Sequence, residues 1–155
     1  MGNISIYNFR NYEGIDESFA QFLTDNRQSL GVSTNLEYIS GNDKIYTAFA
    51  NDVSKSYASD VALVIGRMKT LIYNGQNDVV VNTAGVLQYL NGLTWYGAKN
   101  WKQSKKQIWK VGGEVKGWAK VSDHLWFVQI NGAGHMVPTD QPIPAFIMLG
   151  HFLHD

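Results

Sequence analysis

The chain contains no cysteine. That excludes a thiolate nucleophile and cysteine-ligated zinc. By itself it leaves the redox compartment open. Net charge is missing too: 13 basic residues balance 13 acidic ones. No field therefore draws the chain to nucleic acid or to a membrane surface. No apolar run is long enough to span a bilayer. Met1-Gly2-Asn3-Ile4-Ser5 has neither the basic start nor the apolar core of a secretory leader. Ile6 stands where N-myristoylation needs Ser or Thr. No internal repeat or low-complexity tract is found.

What is present suffices for a core. The 155 residues are 45% hydrophobic and 13% aromatic, which suggests one globular unit. Two strand-and-turn stretches dominate. Leu125-Trp126-Phe127-Val128-Gln129-Ile130 is bulky and β-branched, the pattern of a buried strand. It runs into Asn131-Gly132-Ala133-Gly134-His135-Met136-Val137-Pro138-Thr139-Asp140. Glycine accepts a positive φ cheaply, so this stretch turns sharply, and Pro138 keeps it from resuming a ladder. His135 then stands just past a tight turn. It either meets a substrate or merely closes a strand end. Upstream, Thr70-Leu71-Ile72-Tyr73 reads as a second buried strand leading into Asn74-Gly75-Gln76-Asn77-Asp78. An acid and a histidine, each after a strand end, are what a hydrolytic relay needs. The imidazole takes a proton from a nucleophile, and the carboxylate fixes its tautomer. Acid before histidine is the chain order of α/β-hydrolases, in which a serine comes first.

The stretches 71–78 and 131–138 closely resemble the Asp and His motifs of the serine carboxypeptidases, nearest to the vitellogenic-like and lysosomal or vacuolar branches. Residues 44–52 resemble the helix before the Asp strand. Asp140-Gln141-Pro142 and the apolar run after it resemble the family's C-terminus. The likeness covers about residues 26–154, and its most specific part is Gly134-His135-Met136-Val137-Pro138. The family's nucleophile lies in a Gly-Glu-Ser-Tyr-Ala-Gly elbow, which this chain lacks. Its nearest approach, Gly31-Val32-Ser33-Thr34-Asn35, has no closing glycine and no preceding strand, both of which an elbow requires. Ser33 reads as a surface serine.

The resemblance implies an α/β fold: the C-terminal part of an α/β-hydrolase with flanking helices and an antiparallel β extension. Residues 1–155 are expected to form a single unit, with 1–25 an irregular lead-in and short helix and 26–154 hydrolase-like. It implies hydrolysis of C-terminal residues from peptide substrates. Asp78 and His135 would be the catalytic residues, Met136 would line the leaving-group side of the pocket, and no cofactor is needed. The serine would come from an N-terminal chain or segment of the same precursor, so this chain alone is expected to be inactive. A secreted, lysosomal or vacuolar setting follows by resemblance; there the sequon Asn3-Ile4-Ser5 would accept a glycan. The chain is then a processed subunit, a fragment, or a non-catalytic paralogue that works by binding.

Helical spacing is read over residues 15–23, 25–30, 42–65 with a break, 83–93 with Asn82 as N-cap, and 144–153. Ile45, Phe49, Val53 and Tyr57 form a stripe expected to face a core, as are Ala145, Ile147, Met148, Leu149 and Phe152. Residues 94–104 read as a loop. Residues 107–111, 115–121 and 125–130 read as a β-meander turning at Gly112-Gly113, with one face wet. Seven of the 13 basic residues lie between Lys99 and Lys120, interleaved with Trp101, Trp109 and Trp118. Such a mixture can bind single strands. Without a nucleic-acid motif it reads instead as lysines that face water and blunt a sheet edge. His124, His151 and His154 form no ligand set, and no metal is expected. Asp123 reads as a turn residue.

Overall fold

The computed structural model describes residues 5–10, 16–33, 35–39 and 41–154, with backbone alone at 16–18. The chain divides into two compact units, Glu13–Ser56 and the pair of segments Met1–Tyr12 and Tyr57–Asp155. The smaller unit carries helices α1 (Asp16–Asp25) and α2 (Asp43–Val53). The larger carries α3 (Ala58–Arg67), β1 (Thr70–Gly75), α4 (Thr83–Gly92), α5 (Ala98–Gln103), β2 (Gln107–Val111), β3 (Glu114–Ser122), β4 (Leu125–Ile130), α6 (Val137–Asp140) and α7 (Pro142–His154).

One mixed sheet organises the larger unit, in the order β1-β4-β3-β2. β1 runs parallel to β4, while β4–β3 and β3–β2 are antiparallel. β4 sends alternate side chains to opposite faces, as a pleated strand must. Leu125 and Phe127 join Ile65, Leu90, Leu93 and Trp101 in a core built with α3, α4 and α5. Val128 and Ile130 join Ala133, Val137, Ala145 and Met148 in a second core built with α6 and α7. A strand covered on both faces needs apolar residues in nearly every position, which explains the apolar run at 125–130, interrupted only by Gln129. The expected α/β architecture and antiparallel extension are present. At Gly112 and Gly113 both φ angles are positive, 58° and 85°, as a tight two-residue hairpin turn demands. Asp123 also has positive φ, 49°, in the turn before β4.

The expected helix boundaries hold in several places. The break in 42–65 falls between Val53 and Ala58. Asn82 caps α4 by accepting from the Gly85 amide at 2.9 Å. Four expectations are corrected. Residues 94–104 contain the helix α5, whose Trp101 is fully buried. The short helix expected at 25–30 is instead a run of hydrogen-bonded turns over 26–31, closed by Gly31 at a positive φ of 70°. The stripe Ile45, Phe49, Val53 and Tyr57 is exposed, and α2 buries no residue. On α7, Ala145 and Met148 are buried but Leu149 is exposed, along with Ile143, Phe146 and Leu153. Periodicity identifies an apolar face; it does not supply the surface that covers it. The sequon at Asn3 lies outside the described residues.

Candidate active site

Parallel pairing of β1 with β4 carries the C-terminal ends of both strands to one edge of the sheet, in the register Gly75↔Ile130. The turns that follow are laced together by backbone hydrogen bonds. Gln76 N–H donates to Ile130 O at 2.9 Å and Asn77 N–H to Ala133 O at 2.8 Å. Gly132, with φ 74°, lets the chain fold back beside β1. Gly75 has no room for a side chain: a Cβ there would stand 2.6 Å from the Ala133 carbonyl carbon and closer still to two carbonyl oxygens.

This packing brings together two side chains that are 57 residues apart. His135 Nδ1 lies 2.9 Å from Asp78 Oδ2. The other carboxylate oxygen accepts from the Val81 amide at 3.0 Å. The Asp78 side chain is 3% exposed and that of His135 is 37% exposed. The carboxylate is thus buried and fixed at both oxygens, while the imidazole reaches solvent. An acceptor-only carboxylate on Nδ1 selects the tautomer with the proton there, leaving Nε2 free to accept a proton. Nε2 makes no hydrogen bond among the described residues. The Tyr7 ring tilts against the imidazole, with centroids 5.6 Å apart.

Met136 follows His135 and is 61% exposed. Ser33 is exposed in a local turn, where its hydroxyl accepts from the Asn35 amide at 3.4 Å. His124 turns away from the pair; its Nδ1 lies 3.2 Å from Ile65 O. His151 and His154 occupy the last turn of α7. Among the described residues no three His, Asp or Glu are grouped to hold a metal ion. The basic and aromatic cluster is folded onto itself: Lys120 Nζ lies 4.3 Å over the buried Trp101 ring and Lys106 Nζ 4.0 Å over Trp118.

Sequence reasoning missed the segment 5–10, which crosses both turns. Ile6 O accepts from the Val79 and Val80 amides, Tyr7 O from the His135 amide, and Phe9 N–H donates to Asn77 O. Irregular, aperiodic residues give no signal for such a crossing. It also missed Asn77, whose side chain is fully buried and whose amide atoms find no hydrogen-bond partner among the described residues.

The sequence model of the serine carboxypeptidase family matches residues 11–155. The venom serine carboxypeptidase of Apis mellifera is 36% identical over 131 residues, covering 84% of this chain and 28% of that protein. Carboxypeptidase Y of Candida albicans is 36% identical over 106 residues, 68% of this chain and 20% of the relative. A solved prohormone-processing carboxypeptidase from Saccharomyces cerevisiae superposes with a TM-score of 0.81 at 22% identity, over 98% of this chain and 36% of that one. That likeness shows the fold alone. The chain therefore spans under a third of the length of these curated relatives. By the reach of the family match along its length, this chain belongs to the serine carboxypeptidase family.

Proposed function

We propose that this chain supplies the Asp78–His135 half of a Ser-Asp-His relay in a serine carboxypeptidase. The observation that carries the reading is the 2.9 Å contact between Asp78 Oδ2 and His135 Nδ1, with Nε2 left open. In the proposed reaction a serine hydroxyl gives its proton to Nε2 as it attacks the last peptide carbonyl. His135 returns that proton to the departing amino acid, and water completes the cycle. Asp78 orients the ring and stabilises the imidazolium without itself being protonated. Met136 would line the leaving-group side. The serine would come from another chain or segment of the same precursor, with the backbone N–H groups that hold the developing oxyanion. The names of the relatives, a venom enzyme among them, support a secreted, lysosomal or vacuolar setting. No helix among the described residues is long and apolar enough to cross a membrane.

Two measurements test this. The isolated chain should release no C-terminal residue from a blocked dipeptide; release that a serine-directed organophosphate abolishes would overturn the role given to a second segment. In the complete enzyme, Asp78→Asn should favour the wrong tautomer and lower turnover by about 10⁴-fold, by analogy with serine proteases, while the fold survives. Turnover within about tenfold of wild type would remove Asp78 from the relay.

A further inference from the structure

The His135 turn is gripped from a direction that neither motif supplies. Asp140, at the end of α6, reaches back over His135 and Met136. Its Oδ2 accepts from the Gly134 amide at 2.7 Å and from Asn8 Nδ2 at 2.9 Å. Asn8 is 8% exposed, and its Oδ1 accepts from the Arg10 amide at 3.2 Å. An ionised carboxylate only accepts, so the Asn8 amide has one orientation that satisfies both contacts. On the other side, the His135 amide donates to Tyr7 O at 2.7 Å. Gly134 lies flush against this segment: a Cβ there would stand 2.9 Å from Asn8 Cα and nearer still to Tyr7 O. Two successive amides, those of Gly134 and His135, are thereby fixed by partners remote in sequence.

We propose that Asp140 and Asn8 are positioning residues that hold the His135 backbone, and through it the Nδ1–Asp78 contact, in place. The proposal rests on the relay reading for its consequence, but the clamp is measurable without catalysis. The geometry gives Asp140 a part in the same constellation as Asp78. A charge-assisted hydrogen bond from Gly134 to a carboxylate sits one residue from the imidazole-bearing Cα. Loss of that bond releases the Gly134 N–H, in the peptide between Ala133 and Gly134, and leaves the His135 turn held on this side by the Tyr7 carbonyl alone; a small shift of the turn there swings the ring off Asp78.

The test uses the full 155-residue chain, labelled with ¹⁵N. The readouts are the Nδ1-bound proton of His135 and amide exchange at Gly134 and His135, with the Trp118 amide of β3 as internal control. In Asp140→Ala, exchange at Gly134 should quicken about 10- to 100-fold, the range expected for one charged hydrogen bond. The Nδ1 proton signal should broaden or vanish while Trp118 is unchanged. Asp140→Asn keeps both shape and an acceptor and should retain the Nδ1 signal, whereas Asp140→Leu keeps bulk without an acceptor and should lose it, a loss that packing alone would not predict. Asn8→Asp keeps the shape but sets two carboxylates face to face, so it should lose the signal. If Asp140→Ala also loses Trp118 protection, the comparison of Asp140→Asn with Asn8→Asp decides. A wild-type Nδ1 signal that survives in both Asp140→Ala and Asn8→Asp would overturn the clamp and leave the Asp78–His135 reading standing. A wild type with no such signal would remove that reading, and the proposal with it.

Discussion

Gly75→Ala offers the sharpest check on how the two turns meet. The added Cβ would be 2.6 Å from the Ala133 carbonyl carbon, and closer to the oxygens of Ala133 and Gly134. These obstacles are backbone, and they cannot swing aside as a side chain would. Ala133 O is held by the Asn77 amide and Ile130 O by the Gln76 amide. The His135 turn must therefore move bodily away from β1, and those bonds lengthen with it. Overpacking of a tight site costs about 1–3 kcal/mol; with rigid obstacles the upper end applies. In a chain of this length about 3 kcal/mol lowers Tm by roughly 6–12 °C. Gly85→Ala is the control, because its Cβ would meet the Asn82 side chain at ordinary contact distances, 3.5 Å from Oδ1 at the nearest. It lies in α4, where replacing glycine reduces the freedom of the unfolded chain and should add about 0.4–1 kcal/mol. Thermal unfolding of both variants, followed by near-ultraviolet circular dichroism, compares the two signs directly. A Gly75→Ala variant that melts with wild type, or above Gly85→Ala, would refute the account of this contact.

Three further outcomes follow from buried or exposed groups. Asn77→Leu keeps the branched shape and removes two buried polar atoms that have no partner among the described residues; it should stabilise the chain by about 1–3 kcal/mol in urea, and a loss of more than about 1 kcal/mol would contradict this. Burial, and then the charge of Lys106, lower the Lys120 ammonium below the ordinary lysine range. The unfolded chain thus binds more protons between the lowered and ordinary values, and stability rises with pH across that interval. Lys120→Met should accordingly be more stable than wild type at neutral pH, with the gap in urea midpoints closing as pH approaches about 10; a gap that widens would reverse the assignment. The isolated chain should bind an apolar dye or self-associate at high concentration, because Ile143, Phe146 and Leu153 are 68%, 78% and 65% exposed. A monomer that ignores the dye would count against an uncovered face.

The sheet was legible because its strands obey rules that act over a few residues. The bulky run at 125–130, the Gly112-Gly113 turn and the Asn82 cap each announce themselves locally. The meeting of Asp78 and His135 was legible for a subtler reason: both follow strand ends, and parallel neighbours finish at the same edge. Helix α5 escaped because six residues are too few to show a period. The exposed stripe of α2 misled because an amphipathic pattern records a preference and not its fulfilment. The contact between Asn8 and Asp140 bridges 132 residues, and no rule of spacing reaches that far. It depends on two polar residues whose types fit equally well in any surface loop.

The groups that orient the pair all belong to one compact unit of this chain. Asp78 is fixed by Val81 and His135; the turns are laced by Gln76 and Asn77; residues 5–10 close over them. None of these contacts calls on a nucleophile. In the proposed assembly the acid and base are therefore set before the serine arrives, and the only ring atom left to engage it is Nε2. Preorganisation of this kind matters because groups already aimed at the reacting atoms need no rearrangement during the reaction. It also divides the labour between segments. In that proposal the segment described here would set the direction in which a proton leaves, and the segment bringing the serine would supply the hydroxyl and the amides around the oxyanion.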